Sequence, residues 1–406
     1  MLNQKNQTQI ALVYFILAAG LGVLLRSFAL FEIPINYRFI VHTHSHIVLL
    51  GWVYVALTTL IYNMIQSPKT HRNYHYIFWF TQFTLIGMLL TFPFQGYALF
   101  SIIFSTLFLF ASYSFFWFFK KHAKEDFKKS NSYQCINAAL CYMVVSSLGP
   151  WSLGIIMNTL GAESIWYRIS IYFYLHFQYN GWMIMALFGL LFYVFEQSEL
   201  NIPDKFFKTF LWSINLSIIF TFFLSTLWTW SNSIFYILGG LGSVIQGIAL
   251  VYAINICKNH YQKLKSLLSK LQYNLLLIVF TFLVVKMLLQ LLTVFPYFSN
   301  LASTQLDFPI GYLHWTFLGV VTMSIFLFLD YFKFIKLRKT SIILYLIGFM
   351  ATEVLIFYKG IAGWLSFPIF GGYSILLSIV SLIIVLAIIY ILFTGFSGKS
   401  KSVIKA

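Results

Sequence analysis

The chain has 406 residues, of which 60% are hydrophobic, 20% are aromatic and only 9% are charged. A soluble protein of this length could not cover its surface with so few charged side chains, so the composition excludes that class and predicts an all-α, polytopic membrane protein. The formal net charge of +16 would suit a nucleic-acid partner, but its distribution along the chain points to membrane topology instead.

Apolar runs long enough to cross about 30 Å of hydrocarbon predict twelve membrane helices in a single integral membrane domain over residues 1–406. Numbered 1 to 12, they cover residues 9–31, 39–65, 76–93, 97–119, 135–158, 167–195, 206–230, 233–256, 271–295, 308–331, 341–362 and 371–395. The third run is the shortest. The first is long enough to span and lacks a small-residue cleavage site, so we expect a retained helix rather than a signal peptide.

Basic residues collect in the connections that follow the even-numbered helices. They are Lys69 and Arg72; Lys120, Lys121, Lys124, Lys128 and Lys129; Lys205 and Lys208; Lys258, Lys263, Lys265 and Lys270; Lys333, Lys336, Arg338 and Lys339; and Lys399, Lys401 and Lys405 in the tail. The positive-inside rule then predicts that both termini are cytoplasmic, in a multi-pass protein of the cell membrane, with a bacterial cytoplasmic membrane favoured. Contact of these lysines with anionic lipid headgroups is compatible with this topology, and no nucleic-acid partner is expected.

Five of the nine histidines lie inside predicted helices 2, 6 and 10: His42, His44, His46, His176 and His314. These three helices begin on the outer side, and a rise of about 1.5 Å per residue places the histidines about 6 to 14 Å below that surface. An imidazole in hydrocarbon is costly unless its nitrogens are bonded, so one layer of five predicts ligation of heme or metal. For any single histidine, the alternative is a hydrogen bond to a neighbouring carbonyl.

The spacing in helix 2 divides its histidines between two faces. His42 and His46 share one face, whereas His44 points to the other side, so one helix can serve two centres. Near the same level lie three arginines, Arg26, Arg38 and Arg168. The planar arginine fork suits the carboxylates of heme propionates, and interfacial snorkelling is the alternative.

The string His44-Ser-His46-Ile-Val-Leu-Leu-Gly51-Trp52, with single histidines in helices 6 and 10 of a twelve-helix chain, resembles a known family. It is similar to the catalytic subunit, subunit I, of the heme-copper oxidase and nitric oxide reductase superfamily, nearer the cytochrome-cbb-type and nitric-oxide-reductase branches. The resemblance implies a non-covalent b-type heme between His314 and either His46 or His42. It also makes His176 the helix 6 ligand of copper or non-heme iron, and implies reaction with oxygen or nitric oxide and an electron-donor protein or partner subunit.

Two departures from the family weaken the full oxidase assignment. Helix 7 lacks the family's histidine pair and offers only Thr221, Ser225, Thr226 and Trp228 near that depth, and helix 10 carries His314 alone. A two-heme, one-copper centre cannot be assembled from the usual ligands. We therefore expect a reduced or repurposed relative rather than a proton-pumping oxygen reductase.

The remaining imidazoles can hold a second metal. We expect His44 and His176 to be its ligands, because neutral imidazole suits copper, iron and zinc and no thiolate lies at that depth. Next to His176, Asn180 could orient its second nitrogen and Tyr179 could supply a proton or an electron, which makes these three the candidate catalytic residues. Hydrogen bonding between helices is the alternative role for both polar residues. No Cys-x-x-Cys-His string is present, so covalent heme attachment is not expected.

Two further ionisable residues lie in apolar runs, Lys286 in helix 9 and Glu353 in helix 11. Both are costly in lipid, so we expect them to pair or to line a proton or ion path. A twelve-helix secondary transporter would also explain them, although the two halves of the chain show no clear repeat. A heme- or copper-sensing protein or an assembly factor, which would keep the ligands without turnover, is the third alternative.

Overall fold

The computed structural model describes residues 3–229 and 232–396, and within those ranges the chain forms helices and no strands. Twelve helices in these ranges are long and apolar enough to cross a membrane. Helices 1 to 12 are Gln4–Ser27, Tyr37–Ile65, Pro68–Gln95, Leu99–His122, Asn131–Thr159, Ile165–Gln197, Asp204–Thr226, Ser233–Asn259, Lys270–Leu292, Asp307–Tyr331, Lys339–Leu365 and Tyr373–Gly395. The all-α, polytopic class predicted from composition is confirmed.

Helix 3 differs most from its predicted bounds. It was expected to be the shortest span but runs for 28 residues. Ser67 caps its first turn through a hydrogen bond from the Thr70 backbone N–H, and Pro68 occupies the first helical position. The first two turns are polar, so hydropathy alone does not detect them, whereas capping starts the helix there. The predicted end of helix 7 at residue 230 and the basic tail from Lys399 lie outside the described residues.

Helices 2, 6 and 10 form the centre of the bundle. In their most apolar windows 83%, 94% and 72% of residues are buried, against 28% to 44% in the other nine spans described. Trp52 of helix 2 and Trp182 of helix 6 are fully buried. The outer helices turn large apolar side chains such as Trp117 and Phe393 outward, as expected of surfaces that contact lipid.

Each central helix widens from α- to π-helical geometry directly after a histidine. The π segments are Ile47–Tyr54 after His46, Phe177–Met183 after His176 and Trp315–Val321 after His314. Such segments are rare and are found mostly at functional sites. Three of them next to three histidines indicate one level of the bundle as the position of a site.

The observed helix ends also place the histidines in one layer. Counted from the first residues of helices 2, 6 and 10, His44, His176 and His314 lie seven, eleven and seven residues into their helices. At a rise of about 1.5 Å per residue this corresponds to about 10 to 17 Å from those ends. The histidines of three separate helices are therefore at similar depth.

A short pattern repeats in the three central helices, in which a histidine is followed five residues later by glycine. The pairs are His46 and Gly51, His176 and Gly181, and His314 and Gly319. A side chain from the preceding helix packs against each glycine, and an added Cβ would lie 2.9 Å from Tyr14, 2.7 Å from Tyr142 and 3.2 Å from Phe282, respectively. At Gly319, Phe349 of helix 11 is nearer still, at 3.0 Å. The same spacing of histidine and glycine thus recurs in every fourth helix.

Candidate functional site

The first polar cluster lies where helices 1, 2, 10 and 11 meet, and its helix 2 member is His44. The Nδ1 atom of His44 lies 2.8 Å from the backbone oxygen of Ala18, and it must donate because a carbonyl oxygen only accepts. This bond orients the ring and leaves the lone pair on Nε2, as in histidines that bind heme iron or metal ions. Gly22 allows the close approach, since a Cβ there would lie 3.2 Å from His44 Cε1.

His314 on helix 10 faces Glu353 on helix 11 in the same cluster. His314 Nδ1 lies 3.6 Å from Glu353 Oε1, which is too long for a hydrogen bond. Within the described part of the chain, His314 Nδ1 and both Glu353 carboxyl oxygens are buried without a hydrogen-bond partner. His314 is also within electrostatic range of His44 and of Arg26. Buried polar atoms without partners are rare in proteins, and several together are a feature of ligand sites.

Arg26 is the arginine of this cluster. Its guanidinium donates to the backbone oxygen of Gly22 at 3.3 Å and lies within electrostatic range of Glu353. Arg38 and Arg168 are instead exposed, and Arg168 lies over the Trp228 ring, 5.6 Å from its centroid. Of the three arginines considered for propionate binding, Arg26 lies within electrostatic range of His44 and His314, and Arg38 lies within electrostatic range of His42.

His42 and His46 face helix 3 and the connection after it. His46 Nδ1 donates to the backbone oxygen of His42 at 2.8 Å, and its Nε2 accepts from the Tyr97 hydroxyl at 3.3 Å. The His46 ring stacks on Phe92, and the His42 ring packs against Tyr97. The division of the histidines between two faces is as the spacing predicts. The structure places His44, on the other face of helix 2, within electrostatic range of His314, whereas the hydrogen bonds of His46 are to His42 and Tyr97.

His176 belongs to a second cluster, between helices 6 and 7. Its Nε2 donates to the backbone oxygen of Ile218 at 2.8 Å. Its Nδ1 accepts from the Ser225 hydroxyl at 3.2 Å and from the Asn180 side-chain amide at 3.3 Å. The imidazole is therefore neutral, and its single lone pair is already hydrogen-bonded.

This arrangement does not fit copper or non-heme iron. The two expected metal ligands, His44 and His176, form hydrogen bonds to different helices: His44 to helix 1 and His176 to helix 7. No contact between the two rings is described that would let them share one metal ion. Across residues 3–229 and 232–396, no group of three or more His, Cys, Asp or Glu side chains is placed to hold a metal ion. A metal at His176 would have to displace the donors from Ser225 and Asn180.

The second cluster continues to Lys286 on helix 9, which is fully buried. The Lys286 ammonium donates to Asn180 Oδ1 at 2.5 Å and to Gln290 Oε1 at 2.6 Å. The ring centroids of Tyr179 and Tyr312 lie 5.9 Å and 5.8 Å from Nζ, and the Tyr312 hydroxyl also donates to Gln290 Oε1 at 3.2 Å. We call Lys286 with these four residues the lysine cage.

The sequence-predicted site residues thus fall into two clusters. His44, His314 and Glu353 share the first, with Arg26. The second holds His176, Tyr179, Asn180 and Lys286. Glu353 and Lys286, which were considered together for a proton or ion path, have no contact with each other among those the structure describes. Sequence reasoning missed Tyr312, which lies two residues before His314 and therefore on the opposite face of helix 10.

The chain matches no protein-family model and has no significant match among curated proteins. Its class follows from the fold and the site. It is a multi-pass α-helical membrane protein that carries one half-buried and one buried polar cluster near the histidine level of its three central helices.

Proposed function

We propose that this chain is a membrane heme protein with a redox function, related to the heme-copper oxidase and nitric oxide reductase superfamily. The observation that carries the proposal is the first cluster, in which His44 and His314 come from opposite helices with Arg26 beside them. Two imidazoles suit the iron of a non-covalent b-type heme. The buried, unpartnered atoms of His314 and Glu353 fit a site that is completed by a bound group.

Each residue of the first cluster has a role in this proposal. His44, oriented by its bond to Ala18, and His314 would hold the heme iron, and Arg26 would pair with a propionate carboxylate. A bound heme supplies one-electron redox chemistry. The charge of Arg26 and the carboxyl group of Glu353 would influence the midpoint potential of the heme. An electron-donor protein or partner subunit and a bacterial cytoplasmic membrane belong to the same proposal.

Two features of the chain support the relation to the superfamily. They are the twelve spans and the placement of the histidines in helices 2, 6 and 10. Reaction with oxygen or nitric oxide would require a second metal, which the hydrogen bonds around His176 do not favour. We therefore propose electron transfer through the heme and leave the gas reaction as an outcome to be tested.

The first test is an optical spectrum of the purified protein, reduced minus oxidised, together with iron analysis. We expect a low-spin b-type spectrum and iron in proportion to extractable heme. A colourless, iron-free protein from heme-sufficient cells would contradict the proposal. If substitution of Lys286 or Glu353 then abolished uptake of a solute into vesicles, the secondary-transporter alternative would be correct. Bound heme without electron transfer would favour a sensor or an assembly factor.

The arginines provide a second test. We expect Arg26→Gln to weaken heme retention or lower the midpoint potential of the heme, because it removes a charge-assisted pair and a positive charge from a largely buried site. Arg38→Gln is the matched control, since Arg38 is exposed and its loss should change neither property. Heme titration and redox titration measure both. Equal effects of the two substitutions would assign Arg26 an ordinary interfacial role.

A further inference from the structure

Lys286 is a buried cation that has no anion among its described hydrogen-bond partners. Its side chain is completely inaccessible, and in the part of the chain that the structure describes its hydrogen-bond acceptors are the neutral amide oxygens of Asn180 and Gln290. A charge inside a membrane protein is costly, and such residues mark sites of proton or ion transfer. Its stable placement requires a surrounding that replaces water, and the lysine cage supplies this.

The cage can accommodate both protonation states of the amine. The ammonium donates to two amide oxygens, and the faces of Tyr179 and Tyr312 stabilise its charge. A neutral amine can keep both donated bonds to the amide oxygens of Asn180 and Gln290. Neither amide oxygen therefore loses its partner when the proton leaves. This is what a site of reversible protonation requires.

The Asn180 amide joins the cage to His176. Because Lys286 can only donate to it, the Asn180 oxygen faces Lys286 and the amide nitrogen faces His176 Nδ1. This orientation keeps His176 neutral while Lys286 is charged. The second cluster therefore holds one positive charge, and a side chain of helix 9 carries it. The superfamily resemblance predicts that a bound metal ion carries the positive charge in this region.

Helix 10 joins the cage to the first cluster. Tyr312 contacts the cage through Gln290, and His314 lies two residues further along, on the opposite face of the helix. Charges on opposite faces of one helix still interact in a medium of low effective dielectric constant. A charge on Lys286 would therefore favour the added electron of a reduced heme at His314.

From these contacts we infer that the lysine cage is a proton-binding site whose occupancy is coupled to the redox state of the heme. The inference rests on the proposed function. When an external reductant adds one electron to the heme iron, one proton from water binds the Lys286 amine, and reoxidation returns both. Lys286 lies six residues before the end of helix 9 at Leu292, about 9 Å at the rise of an α-helix, so a proton has only a short distance to travel to that end of the helix.

The test is the pH dependence of the heme midpoint potential in the purified protein. The titratable groups that face Lys286 are His176 and Tyr179 from helix 6 and Tyr312 from helix 10. Helix 8 also packs on helix 9. Its single charged side chain is Lys258, in its last turn. We expect the wild-type potential to fall as pH rises, because loss of the proton removes a positive charge that favours the reduced heme.

Two substitutions of Lys286 should shift the potential in opposite directions. Lys286→Met has no charge at any pH, so its potential should lose most of the pH dependence and remain near the low, high-pH value of the wild type. Lys286→Arg keeps its charge at every accessible pH, so its potential should remain near the high, low-pH value. A purely structural role for Lys286 would not produce opposite, pH-independent offsets.

Lys359→Met is the matched control. Lys359 pairs with Asp307 at 3.0 Å and its side chain is 42% exposed, so this substitution should keep the wild-type dependence. Wild-type pH dependence in Lys286→Met, with heme content unchanged, would overturn the inference and leave the proposed function intact. Absence of heme in the wild type would overturn both. A third outcome is that copper or non-heme iron binds in proportion to the protein and that His176→Ala abolishes a spectral response to carbon monoxide. This outcome would overturn the inference, because it would show that the second cluster is a metal site.

If neither Lys286 variant folds, Gln290→Leu provides the same measurement. It removes one acceptor of the ammonium without changing the lysine, so the neutral amine is favoured and the potential should decline at a lower pH than in the wild type. An unchanged profile in this variant would also contradict the inference.

Discussion

His44→Ala and His314→Ala are each expected to abolish the low-spin heme signal. In the proposed site both imidazoles would bind the heme iron, and a methyl side chain cannot replace either of them. The Nδ1 bond from His44 to Ala18 orients the ring for this task. We expect near-complete loss of heme from either variant after purification, measured as extracted heme per protein.

The control is His46→Ala. Both ring nitrogens of His46 are occupied by bonds to His42 and Tyr97, so its removal should lower stability slightly and leave the heme in place. Loss of heme from His46→Ala, with retention in His44→Ala, would instead restore the pairing first expected from the superfamily resemblance. Size-exclusion profiles of all three variants separate loss of the ligand from loss of the fold.

Gly181→Ala is expected to destabilise the bundle strongly. A Cβ at this position would lie 2.7 Å from both Cβ and Cγ of Tyr142 on helix 5, closer than carbon atoms in proteins approach each other. Alanine generally favours a helix over glycine by about 1 kcal/mol, but overpacking of a rigid core costs about 1–3 kcal/mol. The clash should exceed the helix preference, because the backbones of helices 5 and 6 would have to separate.

Gly247→Ala on helix 8 is the matched substitution. Nothing lies within 4 Å of a Cβ built there, so only the helix preference remains and the variant should be as stable as the wild type or slightly more stable. Thermal unfolding in detergent measures both. Equal melting temperatures for the two variants would show that helices 5 and 6 separate easily, and would contradict the rigid packing inferred for Tyr142 against Gly181.

The sequence determined the class, the number of spans and the approximate depth of the histidines. Hydrocarbon offers no hydrogen bonds to the backbone, so each long apolar run must form a helix that satisfies its own backbone groups. The helical period likewise determined that His42 and His46 share a face that His44 does not. These are local properties, which a run of neighbouring residues encodes by itself.

The tertiary structure alone decided which partner each face meets. Lys286 and Asn180 are 106 residues apart in the chain, and no local pattern indicates that helix 9 presents its lysine to helix 6. The same holds for the contact of His44 with helix 1 and for the position of Arg26 near His44 and His314. The rotation of each helix about its axis is determined by packing against distant segments, such as Tyr142 on Gly181, and that rotation selects the residues that form the site.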